Sequence, residues 1–421
     1  MDSVHAGASL AAGDKLLTSS VACAYALAGV SAFSSARIVL PEAVDWHEVF
    51  RAAREQEALP LVFYGVKHAK PGPYPGQLML NIEEEVRNNV VLQCARHTGF
   101  VELLGKAEKT GLHPVIMKGM AIAECYNRPD TRVSGDIDII IPQAELGEML
   151  AFLQSAGFSL LQPEEGLHHV SCIHKLMGLL EVHTDYFRES SIWLHGQKMI
   201  ADRRRGVFRA YDTIGSYASL EPTMHMQYIV LHAFNHFANT GGGIKMYLDI
   251  VAYYLFHKTD IDKAKVIEAI DRVGGRKFLQ AVLALSYRLC GVKTDLLRCE
   301  GISDDILEAM LRDLKRGGNL GMKEFEKRAL QRNQFRRKKN MRLFYLAAVK
   351  EKTAMLYRMV FPSARTLKSI RKRETSGYVS AWISNLTAQA RLIAHSLARI
   401  KTHNKLDAGP RDQLLRQLDM L

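Results

Sequence analysis

The sequence lacks the patterns that mark several large classes of protein. No stretch approaches the ~18 consecutive apolar residues of a membrane-spanning helix, and the apolar tract 21–33 is too short for one. Few basic residues precede that tract, so we expect no signal peptide. The chain has no Walker A motif and no nucleophile elbow, and the glycines 241–243 follow no predicted strand, unlike a dinucleotide-binding fingerprint.

Cysteine is also scarce, which bears on the cellular compartment. Six cysteines are scattered through 421 residues: Cys23, Cys94, Cys125, Cys172, Cys290 and Cys299. Such spacing gives no disulfide framework and is typical of reduced, mostly buried thiols in a cytoplasmic protein. The composition, 48% hydrophobic and 24% charged, is that of a globular chain. Its length allows roughly two to four domains.

Acidic residues are sparse only in the C-terminal part. From residue 312 onward the chain carries 26 Lys and Arg against 8 Asp and Glu, whereas the first 311 residues carry 30 against 36. This asymmetry favours an anionic partner. Nucleic acid is one candidate, because Phe335, Phe344 and Tyr345 flank the basic run 336–339. A solvated basic helix face explains the same charges.

Hydrophobic periodicity divides the chain into four segments. Residues 1–110 and 201–311 are predicted to be helical, residues 111–200 to form an α/β core, and residues 312–421 to form a basic helical region. Within the first segment, Asp45 is a predicted helix N-cap. The expected fold class is therefore α+β, with a mixed sheet embedded between helical segments.

The predicted core begins with a strand, "HPVIMKG", and a helix of about two turns, "MAIAECYN". The next strand, "DIDIIIP", leads into a helix, "AELGEMLAFLQSAGF", that Gly157 should close. The tract "HHVSCIHKLMGLLEVHTDYF" then fits two strands joined by a turn near Met177 and Gly178. The order is strand, helix, strand, helix, hairpin, as in a compact α/β unit.

Two aspartates stand at alternating positions in the strand "DIDIIIP". Because side chains alternate with period two, Asp136 and Asp138 face the same side of the sheet. Carboxylates so placed can share two divalent cations, Mg²⁺ or Mn²⁺, and such sites suit phosphoryl or nucleotidyl transfer. Glu181, with His183 on the same face, is the predicted third carboxylate from a neighbouring strand.

Lys118 and Gly119 lie where the first predicted strand meets the short helix. Glycine lets the backbone approach a phosphate, and a helix N-terminus adds N–H donors and a favourable dipole. The sequence therefore predicts a triphosphate site beside the carboxylates.

These residues together resemble a known family. The segments "MKGMAIAECYNRPDTRVSGDIDIIIP" and "LLEVHTDYF" are similar to the signature of a bacterial family of uncharacterised nucleotidyltransferases in the DNA-polymerase-β-like superfamily. The pattern is matched by Lys118, Gly119, Tyr126, Arg132, Asp136, Asp138, Glu181 and His183. The stretches "DWHEVFRAAREQEALPLVFY", "LHAFNHF", "GGGIKMYLDI" and "MVFPSARTLKS" resemble its flanking segments.

The resemblance implies a nucleotidyltransferase-type sheet and transfer of a nucleoside monophosphate from a metal-bound NTP. The acceptor is left open among proteins, RNA and small molecules. Asp136, Asp138 and Glu181 are implied to be catalytic and to hold the metal. The implied nucleotide-binding residues are Lys118, Gly119, Arg132, His183, Lys245 and Asp249. Met120 departs from the Ser or Gly usual after the glycine, so a serine contact to phosphate is absent and the Lys118 charge would replace it.

Simpler roles are open for several of these residues. Strand capping explains the two aspartates, Lys175 could pair with Glu181, and Asp130 could pair with Arg132. Lys245 and Asp249 have the spacing of a helix ion pair. His232 and His236, one helical turn apart, fit a helix face turned towards the cleft.

Other functions are also open. The hairpin carries zinc-ligand types, but strand alternation divides them between the two faces: His168, His169, Cys172, His174 and His183. A metal-dependent glycosyl- or phosphocholine-type transferase is one alternative, because paired aspartates also hold metal-diphosphate donors. A non-catalytic nucleic-acid-binding protein on the same fold is another.

Overall fold

The protein is described by a computed structural model over residues 15–33, 38, 40–41, 43–69, 75–161, 169–186, 207–211, 216–317 and 410–420. Of these, the residues up to 317 and residues 417–420 belong to one compact unit, and residues 410–416 belong to a second. The basic run 336–339 and most of the predicted C-terminal segment lie outside the described residues. Among the described helices, none has the length and apolar character needed to cross a membrane.

A mixed sheet of seven strands forms the centre of the first unit, counted over the described residues. Its strands are β1 (Val115–Ile116), β2 (Asp136–Ile140), β3 (Ser159–Leu160), β4 (His169–His174), β5 (Gly178–His183), β6 (Val207–Tyr211) and β7 (Ser216–Leu220). They lie in the order β3-β4-β5-β2-β1-β7-β6. β2 pairs with β5 and β1 pairs with β7 in parallel, whereas the other neighbours are antiparallel. The predicted α+β class with a mixed sheet is confirmed.

Helices precede, interrupt and follow the strands. In the described ranges they are α1 (Ser20–Phe33), α2 (Trp46–Glu55), α3 (Leu59–Ala69), α4 (Gly76–Lys109), α5 (Met120–Ala123), α6 (Leu146–Ser155), α7 (Pro222–Asn239), α8 (Ile244–Phe256), α9 (Lys263–Arg272), α10 (Arg276–Cys290), α11 (Asp304–Gly317) and α12 (Pro410–Gln417). The predicted N-cap of α2 is confirmed, because the Asp45 carboxylate accepts a hydrogen bond from the Glu48 N–H at 3.1 Å.

Alternation along β2 separates its apolar residues from its charged ones. Ile137 and Ile139 are buried in a core that includes Met149 of α6. Each such side chain stabilises the fold by ~1.5–3 kcal/mol through removal of apolar surface from water. Asp136 and Asp138 therefore face the other side of the sheet, on a strand that the isoleucines hold in place.

Two parts of the core differ from the sequence expectations. β6 and β7 lie in the segment predicted to be helical, and β7 pairs with β1 to extend the sheet. The β7 sequence "SYASL" has no β-branched residue, so it gives a weak strand signal. Helix α5 has one turn rather than two, because the N–H groups of Cys125 and Tyr126 bond to carbonyls three residues back and that of Asn127 donates to the Ala32 carbonyl.

The helical segments on either side of the sheet are not separate in space. α1 packs against α2 and α3, and also against α10 from the later helical segment. The described parts of residues 1–311 accordingly lie in one compact unit. The finer domain boundaries at residues 110, 200 and 311 stay predictions.

Candidate active site

Parallel pairing of β2 with β5 brings three carboxylates together. Asp138 is the register partner of Glu181, and Asp136 lies two residues earlier on the same face. Oxygen atoms of Asp136, Asp138 and Glu181, one from each, all lie within 4.8 Å of one another. The Asp138 side chain is 1% exposed, whereas that of Glu181 is 20% exposed. On its other side Glu181 faces Ser171 of β4, and Lys175 lies in the turn beyond that strand.

The positive groups around these carboxylates are unevenly placed. Lys118 Nζ lies 3.0 Å from Asp138 Oδ2, and His183 Nε2 lies 3.0 Å from Asp138 Oδ1. Burial alone would raise the pKa of Asp138, but the Lys118 charge and the His183 hydrogen bond outweigh it and lower that pKa. Burial and the Asp138 charge raise the pKa of Asp136. Asp136 thus lies in a more negative environment than Asp138.

The donor set fits a hard divalent cation. Three carboxylates supply oxygen ligands alone, which are the ligands that Mg²⁺ and Mn²⁺ prefer. A dication would also oppose the desolvation and repulsion that raise the pKa of Asp136. Asp136, Asp138 and Glu181 are therefore the residues that could hold such an ion.

Helix α7 places a histidine pair against Lys118. His232 Nε2 lies 3.3 Å from Lys118 Nζ, and His236 Nε2 lies 3.1 Å from His232 Nε2. An ammonium group only donates, so His232 accepts through Nε2 and carries its ring proton on Nδ1. Burial and the Lys118 charge lower the pKa of His232 well below its ordinary value and that of His236 to about 4. Both rings are neutral near pH 7, and they face the site as their spacing predicts.

Lys118 itself stays charged at this position. Burial alone would lower the pKa of its ammonium group, but the charge and hydrogen bond of Asp138, together with Tyr228 and Asp136, outweigh burial and raise that pKa. A fixed positive charge therefore lies beside the carboxylates, at the point where β1 ends and α5 approaches.

Gly119 is required by its backbone conformation. Its φ is +66° and its ψ is −101°, a region that other residues occupy only under strain. A Cβ built there would lie 3.5 Å from the Asp136 carbonyl oxygen, an ordinary contact, so space is not the constraint. Gly119 leads into α5, whose first N–H groups have no acceptor within the helix. With a single turn, α5 offers these N–H groups rather than a long helix dipole.

His225 is a positioning residue that sequence reasoning missed. It is fully buried, and its Nε2–H donates a hydrogen bond to the carbonyl of Met117, the residue before Lys118. Burial lowers the pKa of His225 to about 3, so the ring is neutral. A signal was present, because His225, Tyr228, His232 and His236 recur at intervals of three or four residues and so share one helix face.

Arg132 and Asp249 form a buried ion pair between the loop before β2 and helix α8. Arg132 Nε and Nη2 donate to the two carboxylate oxygens of Asp249 at 2.9 and 2.7 Å. The Tyr126 hydroxyl donates to Asp249 Oδ1 at 2.7 Å. Both charged side chains are less than a tenth exposed. Asp130, the alternative partner for Arg132, pairs with Arg128.

Lys245 extends this network towards the carboxylates. Its Nζ donates to the Val133 carbonyl at 2.9 Å and pairs with Glu57 at 3.1 Å. Burial lowers the pKa of Lys245, and its charge in turn opposes the rise in the pKa of Asp136. Contact of Lys245 and of the Arg132–Asp249 pair with a nucleotide stays a prediction, since the structure shows their protein partners.

Three solved structures resemble the chain in part. The antibiotic-resistance factor ANT(2'')-Ia is 14% identical over 44% of this chain and 91% of its own, with a TM-score of 0.30. An antigenic nucleotidyltransferase-like protein from Paracoccidioides brasiliensis is 16% identical over 49% and 96%, with a TM-score of 0.32. A tRNA nucleotidyltransferase, complexed with a primer tRNA and an incoming ATP analog, is 15% identical over 71% and 99%, with a TM-score of 0.21. Likenesses this distant assign no substrate to the chain.

Sequence comparison is more decisive at the level of the family. Among curated proteins, none matches the chain. Residues 42–291 match the family described as uncharacterised nucleotidyltransferase, and this range contains all the site residues discussed above. Because the match spans more than half of the 421 residues, the chain belongs to the uncharacterised nucleotidyltransferase family.

Proposed function

We propose that this protein is a metal-dependent enzyme that transfers a nucleoside monophosphate from an NTP to an acceptor hydroxyl group and releases pyrophosphate. The observation that carries the proposal is the group of Asp136, Asp138 and Glu181, with ligand oxygens within 4.8 Å of one another. The group lies beside Lys118 in a chain of a nucleotidyltransferase family. Mg²⁺ or Mn²⁺ held there would neutralise charge that develops on the phosphates.

In this proposal Glu181 takes the acceptor's proton. Its carboxylate is 20% exposed, whereas that of Asp138 is 1% exposed and already bound by Lys118 and His183. As Glu181 takes the proton, the acceptor oxygen bonds to the α-phosphorus. The bond between the α-phosphorus and the bridging oxygen breaks, and pyrophosphate leaves with that electron pair.

Lys118 and the Gly119 backbone would hold the triphosphate. Among the described residues, Asp138 and His232 take two of the three N–H donors of Lys118, which leaves one for a phosphate oxygen. Arg132 and Asp249 would act by fixing the loop that leads into β2. Direct nucleotide contact by these two residues, by Lys245 and by His183 stays part of the proposal.

We further propose a bacterial, cytoplasmic enzyme. All six cysteines are free and four are buried, as suits a reducing compartment. The acceptor is a protein, an RNA or a small molecule. A nucleic-acid acceptor would be supported by the charge of residues 312–421, where 26 Lys and Arg stand against 8 Asp and Glu.

The test uses purified protein, cell extract and each α-labelled NTP with Mg²⁺ or Mn²⁺. We expect label from one NTP to enter a macromolecule or metabolite, and Asp138→Asn to slow the transfer by ~10²-fold or more. A parallel arm offers labelled nucleotide sugars. Label from a nucleotide sugar only, or full NTP-dependent activity in Asp138→Asn, would refute the proposal.

A further inference from the structure

A second group of metal-ligating side chains lies beside the aspartates. His169 of β4 is the register partner of His183 of β5 across the antiparallel pair, so both rings lie on one face of the sheet. Glu181 precedes His183 by two residues and shares that face. The two imidazole rings have centroids 4.9 Å apart. Strand alternation separates these residues from Cys172 and His174, but it leaves the two histidines together.

The distances within this group approach those around one metal ion. His169 Nε2 lies 3.5 Å from Glu181 Oε1, and His183 Nε2 lies 3.4 Å from Glu181 Oε2. One ligand atom from each of the three residues lies within 4.8 Å of the others. Two neighbouring ligands bound ~2.1 Å from one ion are ~3.0 Å apart in the octahedral geometry usual for Mn²⁺, about 0.5 Å less than these separations. Small side-chain adjustments would therefore bring the three ligands onto a common ion. On binding it, His183 Nε2 would release its proton to solvent and give up its hydrogen bond to Asp138.

The ligand types discriminate among divalent cations. Mg²⁺ takes oxygen ligands almost exclusively, whereas first-row transition ions also accept imidazole nitrogen. Among these ions Mn²⁺ is the one that carboxylates also suit, so it fits a mixed group that shares Glu181 with the aspartates. The side chains of His169 and Glu181 are 11% and 20% exposed, so an ion can enter from solvent at this side. The all-carboxylate group suits Mg²⁺, and this neighbouring group does not.

We propose that His169, Glu181 and His183 form a metal position beside the aspartate pair that takes an imidazole-accepting transition ion, Mn²⁺, in preference to Mg²⁺. Glu181 then serves both positions. Through this shared residue, the inference rests on the proposed nucleotidyltransferase site. It also gives His183 a metal-binding role in place of a phosphate contact.

The test reads metal–nitrogen coordination directly in the intact chain. One equivalent of Mn²⁺ is added with a large excess of Mg²⁺, and the electron spin echo envelope modulation of Mn²⁺ is recorded. Unlabelled protein should show a ¹⁴N modulation, and wild-type protein grown with ¹⁵N-histidine should show the ¹⁵N pattern instead. This comparison needs no substitution, so it does not depend on whether a variant folds.

Variants then identify the histidines. His169→Gln should remove part of the nitrogen modulation and weaken Mn²⁺ binding by ~10–100-fold or more. Loss of a residue that only hydrogen-bonds to a metal ligand already costs that much. His113→Gln is the matched control. His113 lies 2.9 Å from Glu145, also as an imidazole beside a carboxylate, but it is 73% exposed and outside the group. The control should bind Mn²⁺ as the wild type does.

The outcomes separate this inference from the proposed function. Nitrogen modulation that changes with ¹⁵N-histidine and falls in His169→Gln supports the inference. Mn²⁺ that binds with no nitrogen modulation, in a protein that still transfers nucleotide, overturns the inference and leaves the proposed function intact. A wild-type chain that neither binds Mn²⁺ nor transfers nucleotide overturns both.

Discussion

Replacement of Arg132 by methionine should destabilise the metal-free protein strongly, even with no nucleotide present. Arg132→Met leaves the Asp249 carboxylate less than a tenth exposed, with the Tyr126 hydroxyl as the donor that remains from the present contacts. Breaking a buried pair by removing one partner costs ~3–5 kcal/mol, because the other charge stays buried. Asp249→Leu should cost a similar amount for the same reason.

The double variant Arg132→Met/Asp249→Leu should be far less damaging than the sum of the two. The double variant has neither buried charge, so the cost of removing the two charges from water disappears as well. Replacing a whole buried ion pair by apolar residues often leaves stability almost unchanged. The Tyr126 hydroxyl then loses its 2.7 Å hydrogen bond to Asp249 and keeps the Lys245 carbonyl, at 3.5 Å, as an acceptor, so this loss costs at most ~1–3 kcal/mol. The expected coupling energy between Arg132 and Asp249 is therefore several kcal/mol.

Urea unfolding of the four proteins measures this cycle. Deuterium uptake by peptides from α8 is the appropriate probe, because it reports on the helix that carries Asp249. NTP binding with Mg²⁺ is measured alongside by calorimetry. An Arg132→Met protein with an unchanged urea midpoint and much weaker NTP binding would refute the structural role and establish direct nucleotide contact.

Three further predictions concern the approach to Lys118. Gly119→Ala should cost about 1–3 kcal/mol, because alanine is strained at φ +66°, and thermal unfolding will show it. The pKa of His225 is about 3 in the folded chain and ~6.5 in the unfolded chain. Between these pH values the unfolded chain binds one more proton, so the stability of the fold decreases as the pH is lowered. Between pH 7.5 and pH 5, the free energy of unfolding measured with urea should therefore fall by about 2 kcal/mol less in His225→Gln than in the wild type. Lys118→Met should slow nucleotide transfer by ~10²-fold or more, measured as kcat.

Each of these has an outcome that contradicts it. Gly147→Ala is the control for Gly119→Ala, because Gly147 lies in helix α6, has no positive φ, and has nothing near its Cβ position. Equal effects of the two substitutions would exclude conformational strain at Gly119. If the free energy of unfolding of His225→Gln fell between pH 7.5 and pH 5 as much as that of the wild type, the proton uptake would belong to other groups. Wild-type kcat in Lys118→Met would exclude the lysine from the phosphate site.

Local sequence signals predicted most of the individual elements. β2, helix α6 and the β4–β5 hairpin follow from periodicity and turn residues, and Asp45 caps its helix as its position indicates. The group of Asp136, Asp138 and Glu181 was also predictable, because alternation fixes the face of each side chain once the two strands pair. These inferences need only the periodicity of residues along each element and the assumption that β2 and β5 are neighbours in the sheet.

Partner choice across long separations was not predictable in the same way. Arg132 has Asp130 two residues away, yet it binds Asp249, because helix α8 brings a buried carboxylate with room for two parallel hydrogen bonds. Likewise, His169 and His183 meet because of the hairpin register, which single-residue alternation does not specify. Strand β7 was missed because its sequence, SYASL, carries weak strand propensity.

The large sequence separation between Arg132 and Asp249 has a consequence for folding during translation. Its members are 117 residues apart, and those of the Lys118–His232 contact are 114 apart, whereas Asp138 and His183 are 45 apart. A chain emerging from the ribosome can therefore assemble its carboxylates before the helices that hold Lys118 and the loop ahead of β2 have been made. The ability to bind nucleotide should therefore arise late in translation, after both α7 and α8 have emerged.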